Sequence, residues 1–381
     1  MSGDRRVRAA VMQSGGALAI EAIDLAALGP HDVFVSTRAA VVCLTDSIAR
    51  RGTFPVFNAP QIRGHGGVGV VIEVGSAVTR VRPGDRVIAA VRLQCGECPL
   101  CLGGQAEWCV HSDGPPPRTV DVDGRVYSDR EPPPAPVGRT SAGDPLSAHA
   151  RIGSYADMMR VPDIAVTPVR AEVPDAELAL LACGAGTGLG AVFNQSGVRA
   201  GATTAVVGCG VVGLSMVLAL RLLGARHIVA VDPDPGRREL ALSMGATAAA
   251  GPAEALDCAL VATRAVGVDV AFEAAGAPEA MELAFAATRR GGGVVLTGFG
   301  SPDARVTFAM NELAVRGRRV LGSQFGAVQV RRDLPRLAAL VEHGRLELAP
   351  LITHRFPLDD LHGAIDAVEH RTALGAVIDR F

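Results

Sequence analysis

Four cysteines, Cys95, Cys98, Cys101 and Cys109, follow a C-x2-C-x2-C-x7-C spacing within CGECPLCLGGQAEWC. Four soft sulfur ligands so close together suit a closed tetrahedral zinc site. Gly96, Pro99, Gly103 and Gly104 break the stretch. It is too short to bury a core of its own, so metal binding would supply its folding energy. Disulfides or buried thiols are the competing state. The start of the chain, MSGDRRVRAAVMQSGG, carries charge with no apolar run behind it, so export is not expected. A cytoplasmic, reducing setting favours zinc over disulfides. Of the eight cysteines, Cys43, Cys183, Cys209 and Cys258 remain outside the cluster.

A second chemistry-bearing segment is TTAVVGCGVVGLSMVLALRLLGARHIVAVD. Its pattern predicts a strand, the turn Gly208-Cys209-Gly210-Val211-Val212-Gly213, a helix, and a second strand ending in Asp232. Gly208 permits a tight turn, Gly210 lets a pyrophosphate approach the backbone, and Gly213 packs helix against strand. The helix N-terminus offers free N–H groups to phosphate. Asp232, 19 residues after Gly213, is placed to bond the adenosine ribose and repel a 2′-phosphate, which favours NAD over NADP. Arg237 and Arg238 follow closely and offer that phosphate the opposite attraction. Cys209 reads as a small loop residue.

The surrounding elements must position these groups. At 381 residues two domains are expected, and a net charge of -2 excludes a strong electrostatic pull toward nucleic acid or a membrane surface. All 37 basic residues are arginine, which reads as genome composition. No apolar run reaches the ~20 residues of a membrane span. Residues 7 to 92 read as short strands and turns: VFVSTRAAVVC and VGVVIEVGSAV are rich in β-branched residues, and Pro83-Gly84-Asp85 marks a turn in VRPGDRVIAA. Residues 111 to 150, with Pro115-Pro116-Pro117 and Pro132-Pro133-Pro134, predict a long surface excursion with little regular structure. From about Pro174, helical stretches such as DAELALLACG alternate with the apolar strands TTAVVG, HIVAVD, VDVAFEAAG and GGVVLTGFG. That alternation predicts βαβ units and a parallel sheet, hence an α/β, Rossmann-type doubly wound fold beside a β-rich domain. RRDLPRLAALVEHGRL and PLDDLHGAIDAVEHR follow as helices, and ALGAVIDRF as a final strand.

Together these pieces resemble the zinc-dependent medium-chain alcohol dehydrogenases, in particular the long-loop branch with the class I, class III and NDMA-dependent enzymes. The resemblance covers essentially the whole chain. It implies a GroES-like catalytic domain over 1–184 with the structural zinc lobe at 95–109, a Rossmann domain over 185–327, and a return to the catalytic domain over 328–381. It implies a second, catalytic zinc on Cys43 in VVCLTDSIA, His65 in RGHGGVGVVIEVGSAV and Cys183 in ACGAGTGLGA. Three protein ligands leave one position open to a substrate oxygen. Asp46 would orient His65 by accepting its second ring N–H, and Thr45 would pass the alcohol proton onward. Thr187 and Val212 match positions that contact or pack against the nicotinamide. Such relatives dimerise through the edge strands of their nucleotide domains, which points to Val306 to Gly322 and a homodimer, or a tetramer.

Four positions depart from the family pattern. Leu44 and Gly375 replace basic residues that hold the pyrophosphate, which removes charge-assisted hydrogen bonds. Ile48 replaces a histidine that ends the proton relay in many class I enzymes. Gly66 replaces a glutamate beside the histidine ligand, removing a negative charge near the metal, which would make zinc a stronger Lewis acid or loosen its coordination. Val91 stands where relatives often carry an aromatic. With Phe54 and Phe57 nearby it predicts a roomy apolar cleft and a substrate larger than ethanol.

The function expected is a zinc- and NAD-dependent oxidoreductase interconverting an alcohol and an aldehyde or ketone. The altered relay leaves open a biosynthetic reductase of an iminium or conjugated C=C bond, or a non-redox step. A non-catalytic scaffold is the third possibility, opposed by the retention of Cys43, His65 and Cys183.

Overall fold

The computed structural model describes residues 5–13, 16–51, 60–112, 136–300 and 303–381. The expectations for Phe54, Phe57 and the two proline triplets lie outside these residues. The chain divides into two compact units: residues 1–183, 329–339 and 352–381 form the first, and 184–328 with 340–351 form the second. The family resemblance assigns all of 328–381 to the first unit. Residues 340–351, where Leu346, Leu348 and Leu351 are fully buried, cluster with the second.

In the first unit, strands Arg5–Met12, Leu18–Leu25, Gly138–Arg139, Pro145–Ala148 and Gln61–Ile62 close into a small barrel. Beside it a larger sheet runs in the order Val166–Pro168, Arg86–Ala89, Gly67–Val74, Asp32–Val42, Ala376–Arg380 and His354–Pro357, with Met158–Pro162 also paired to Asp32–Val42. β-Branched residues fill the inward positions: Val33, Val35, Val71 and Val87 are buried together with Leu93 and Met159. Each such side chain contributes about 1.5–3 kcal/mol through burial. The turn predicted at Pro83-Gly84-Asp85 is present, with Gly84 at φ +91°. The expected irregular excursion is corrected at its C-terminal end. Gly138–Arg139 and Pro145–Ala148 are barrel strands, because Leu146 supplies a fully buried side chain that anchors them.

The second unit holds a six-stranded, all-parallel sheet in the spatial order Ala248–Ala250, His227–Val231, Thr203–Val207, Val268–Glu273, Thr288–Leu296, Arg319–Gly322. In chain order this is 3-2-1-4-5-6, the doubly wound arrangement with its switch point beside the first strand. Its core mixes small and β-branched residues: Ala205 and Ala271 pack with Val207, Val229 and Val294. Such near-continuous apolar strands are what a parallel sheet covered on both faces requires. No single helix among the described residues is long and apolar enough to cross a membrane.

Candidate active site and metal centres

The four-cysteine lobe is built on short turns. Cys98 caps the helix Pro99–Leu102, its sulfur accepting from the Cys101 N–H. The N–H groups of Glu97 and Cys98 point at the Cys95 sulfur at 3.4 and 3.3 Å, and that of Cys95 at the Cys109 sulfur at 3.4 Å. Such bonds stabilise thiolates. The sulfurs of Cys95–Cys101, Cys98–Cys109 and Cys109–Cys95 are 3.9, 4.0 and 3.7 Å apart. A tetrahedral zinc with Zn–S of about 2.3 Å requires about 3.8 Å, whereas a disulfide requires about 2.05 Å. The donor set therefore fits zinc, and all four cysteines are free. The lobe is tied down by the Arg331 guanidinium, which donates to the Gln94 and Cys95 carbonyls at 2.7 and 2.8 Å. Arg80 reaches the same Cys95 carbonyl at 3.2 Å.

Cys43, His65 and Cys183 come from three separate segments, and their ligand atoms all lie within 4.8 Å of one another. Cys43 ends the strand Asp32–Val42 and caps the helix Leu44–Arg50. His65 sits in the turn between Gln61–Ile62 and Gly67–Val74. Gly64 shapes this turn at φ +90°, where a Cβ would lie 2.4 Å from the Ser154 hydroxyl. Cys183 follows the helix Asp175–Leu181. The His65 Nε2 lies 3.3 Å from the Cys183 sulfur, against about 3.5 Å for a nitrogen and a sulfur sharing one tetrahedral zinc. These residues fit the metal that the sequence resemblance implied.

Asp46 is the hub behind these groups, 2% exposed. Its Oδ2 accepts from the Tyr155 hydroxyl at 2.7 Å and the Cys43 N–H at 3.0 Å. Its Oδ1 lies 3.6 Å from His65 Nδ1 and 3.7 Å from Arg63 Nη2. Burial penalises the Asp46 charge, yet His65 and Arg63 outweigh that penalty and hold the carboxyl well below the usual carboxylate range. Burial also disfavours protonated His65, but Asp46 and Cys43 raise it to about 10 in the metal-free arrangement. The hydrogen bond from Cys183 holds the Cys43 thiol well below its ordinary value, against burial, and pushes Cys183 well above.

These directions fix a pH dependence. Zinc needs a neutral imidazole and two thiolates, so loading this centre displaces protons from His65 and Cys183. From the ordinary histidine value of 6.5 up to about 10 the metal-free form keeps its His65 proton and the ion pair with Asp46, and loses both as pH rises. Apparent zinc affinity at this centre should therefore rise with pH, by about tenfold per unit for each proton displaced. Chelator competition at pH 6 and pH 8 measures this. Affinity independent of pH would contradict it.

The family-pattern departures now have surroundings. Ile48 is buried on the Leu44–Arg50 helix, while Leu44 is 40% exposed. The Thr45 hydroxyl oxygen is buried with no hydrogen-bond partner. A Cβ on Gly66 would meet the Ala182 Cβ at 3.1 Å and Val41 Cγ1 at 3.3 Å. Glycine thus allows the residue before Cys183 to close onto the histidine turn. Gly375 is spent in the backbone, its carbonyl accepting from the N–H groups of Thr353 and His354 at 3.0 and 3.2 Å. Tyr155, Arg63 and His149, whose ring centroid lies 5.2 Å from that of His65, were missed in the sequence. Only Arg63 carried a local signal, two positions before the histidine.

In the second unit, Gly208 adopts φ +97° and Gly210 precedes the helix Val211–Leu222. A Cβ on Gly213 would lie 1.8 Å from the Gly208 carbonyl oxygen, so no side chain is possible there, whereas nothing lies within 4 Å of one on Gly210. Asp232 ends the strand His227–Val231, and its carboxylate accepts from the Cys209 N–H at 2.8 Å and the Asp234 N–H at 2.9 Å. It ties the glycine turn to the second strand, with lone pairs left over for ribose. Arg238 is turned back onto the Asp232 and Pro233 carbonyls at 2.7 and 2.9 Å. Arg237 gives its N–H to the Asp234 carboxylate and is half-buried. Thr187 and Val212 lie on the helices Gly184–Gly190 and Val211–Leu222, which meet at Gly188, where a Cβ would lie 2.2 Å from the Val212 carbonyl oxygen.

Comparison with known proteins agrees with this geometry. Residues 29–171 match the alcohol dehydrogenase GroES-like domain, and residues 211–343 match the zinc-binding dehydrogenase family. The S-(hydroxymethyl)glutathione dehydrogenase of Synechocystis sp. is 32% identical over 377 residues, 97% of this chain and 99% of that protein. The alcohol dehydrogenase zinc-binding domain protein from Burkholderia ambifaria superposes with a TM-score of 0.88 at 31% identity, over 99% of this chain and 100% of that one. The benzyl alcohol dehydrogenase from Acinetobacter calcoaceticus gives 0.86 at 26% identity, again over 99% and 100%. With its GroES-like and doubly wound units and two residue clusters that fit zinc, the chain belongs to the zinc-dependent medium-chain alcohol dehydrogenase family.

Proposed function

We propose that this enzyme is an NAD-dependent oxidoreductase that interconverts an alcohol larger than ethanol with its aldehyde or ketone. The convergence of Cys43, His65 and Cys183 on one point, from three segments, carries this reading. Zinc held there supplies Lewis-acid polarisation of the substrate C–O bond, and the nicotinamide supplies the hydride acceptor or donor. Asp46 orients His65, and Cys95, Cys98, Cys101 and Cys109 hold a second, structural zinc. The Thr45 hydroxyl, unpartnered at its oxygen, accepts the alcohol proton. Ile48 cannot carry that proton further, so a ribose hydroxyl or solvent completes the route. Val91 in place of an aromatic leaves room for the larger substrate. Gly208, Gly210, Val212, Gly213, Thr187 and Arg237 form the dinucleotide cradle. Two chains pair through the exposed edge of Arg319–Gly322, beside Met310 and Val315, which are 76% and 77% exposed.

A screen of alcohols and aldehydes with NAD(H) and NADP(H), followed by nicotinamide absorbance, tests the reading. Turnover of bulky alcohols with NAD supports it. No turnover of any alcohol or aldehyde, with reduction of an iminium or conjugated C=C substrate, would replace it. The cofactor assignment rests on Asp232. Asp232→Ser is expected to cut kcat/KM with NAD by about 10–100-fold, since one charge-assisted bond contributes about 1.5–3 kcal/mol, and to narrow or reverse the preference over NADP. An unchanged NAD/NADP ratio would remove Asp232 from ribose recognition.

A further inference from the structure

We propose that Arg63 is a positioning residue that tunes the zinc ligand His65 through their shared carboxylate, Asp46. This rests on Cys43, His65 and Cys183 being the catalytic zinc site. Arg63 is a buried cation, 3% exposed, directly behind the metal ligands. Its Nη1 donates to Gln61 Oε1 at 2.8 Å, and its backbone is fixed by bonds to Ala10 and Tyr155. Its Nη2 faces Asp46 Oδ1 at 3.7 Å, the same oxygen that faces His65 Nδ1 at 3.6 Å. The other oxygen is fully engaged by Tyr155 and Cys43. One carboxylate oxygen, hydrogen-bonded to neither, thus lies within ion-pair range of two groups, a guanidinium that is always charged and the imidazole that would bind metal.

The consequence follows from electrostatics. A carboxylate behind a metal-bound histidine raises the basicity of the ligand and tightens the metal. Negative charge drawn toward Arg63 is withheld from His65, and the guanidinium itself repels a dication in a low-dielectric interior. Both effects weaken zinc binding and leave the ion a stronger Lewis acid. Gly66, which removes a carboxylate at the neighbouring position, acts in the same direction. Arg63 is therefore set against the ligands and not merely packed beside them.

The test is Arg63→Met, with Arg63→Lys as the charge-preserving control and Arg63→Gln as the alternative should methionine prevent folding. Zinc affinity of the Cys43–His65–Cys183 centre is measured by chelator competition, and the ligand field by visible absorption of the cobalt-substituted protein. Removing the charge is expected to tighten metal binding about tenfold or more, the scale of changes behind a metal ligand, and to shift the cobalt bands. Lysine is expected to stay within about threefold of the parent by keeping the charge. Weakened or unchanged affinity in a folded Met or Gln variant that still carries its lobe zinc would overturn the proposal. If the parent protein itself binds a single zinc, the underlying site assignment has failed instead.

Discussion

Cys43→Ser is expected to lower kcat/KM by about 10³-fold or more while leaving the protein folded. The Lewis acid contributes several kcal/mol to the transition state, and each 1.36 kcal/mol is tenfold in rate. Serine is a poor ligand at neutral pH, because its hydroxyl does not ionise where the Cys43 thiol, held well below its ordinary value by Cys183, does. The variant should retain one zinc per chain, the one on Cys95, Cys98, Cys101 and Cys109. Its folding should survive because Asp46 keeps its bonds to Tyr155 and to the backbone N–H of residue 43, which the substitution does not touch. A variant of undiminished activity would remove the metal mechanism altogether.

Cys98→Ser should produce the complementary failure, in stability before activity. The lobe has almost no apolar core; Leu102 is 75% exposed and Trp108 46% exposed. Structural zinc is worth about 10–16 kcal/mol in isolated zinc-finger peptides. A loss of even about 5 kcal/mol would lower the half-inactivation temperature by about 10 °C or more in a domain of this size. Hydrogen bonds from Arg331 and Arg80 to the Cys95 carbonyl, from Gln329 to the Gly104 carbonyl and from Arg92 to the Glu107 carbonyl hold only the lobe's backbone, and cannot replace the metal. Half-inactivation temperature and zinc content measure this together. Loss of one zinc with unchanged thermal stability would show that the lobe is an ornament of the fold.

The parts legible in the sequence were those whose signal is local. The cysteine cluster, the glycine turn with its strand, helix and terminal Asp232, and the strands from TTAVVG to GGVVLTGFG each declare themselves within about 30 residues. The sulfur and imidazole ligands also sit in recognisable short contexts. What was not legible depends on pairings far apart in the chain. Tyr155 reaches Asp46 across 109 positions, and no spacing rule predicts it. Gly138–Arg139 and Pro145–Ala148 are two to four residues long and surrounded by turn formers, so their strand character arises from barrel closure and not from propensity. Gly66 looked like the loss of a charge. In three dimensions a side chain there would also be tightly placed against Ala182, a residue 116 positions away, whose Cβ would come within 3.1 Å of one at Gly66. The sequence pattern marks Asp232 only as a candidate ribose ligand, because the Cys209 and Asp234 N–H groups that claim its carboxylate are invisible in a sequence.

One chain is expected to assemble two different zinc centres, one closed by four sulfurs and one built from two sulfurs and an imidazole. Elemental analysis combined with zinc X-ray absorption on the purified protein tests it most directly. Two zinc per chain are expected, each bonded on average to about three sulfurs and one lighter ligand. One zinc per chain surrounded by four sulfurs would contradict it, leaving Cys43, His65 and Cys183 as neighbours without a metal.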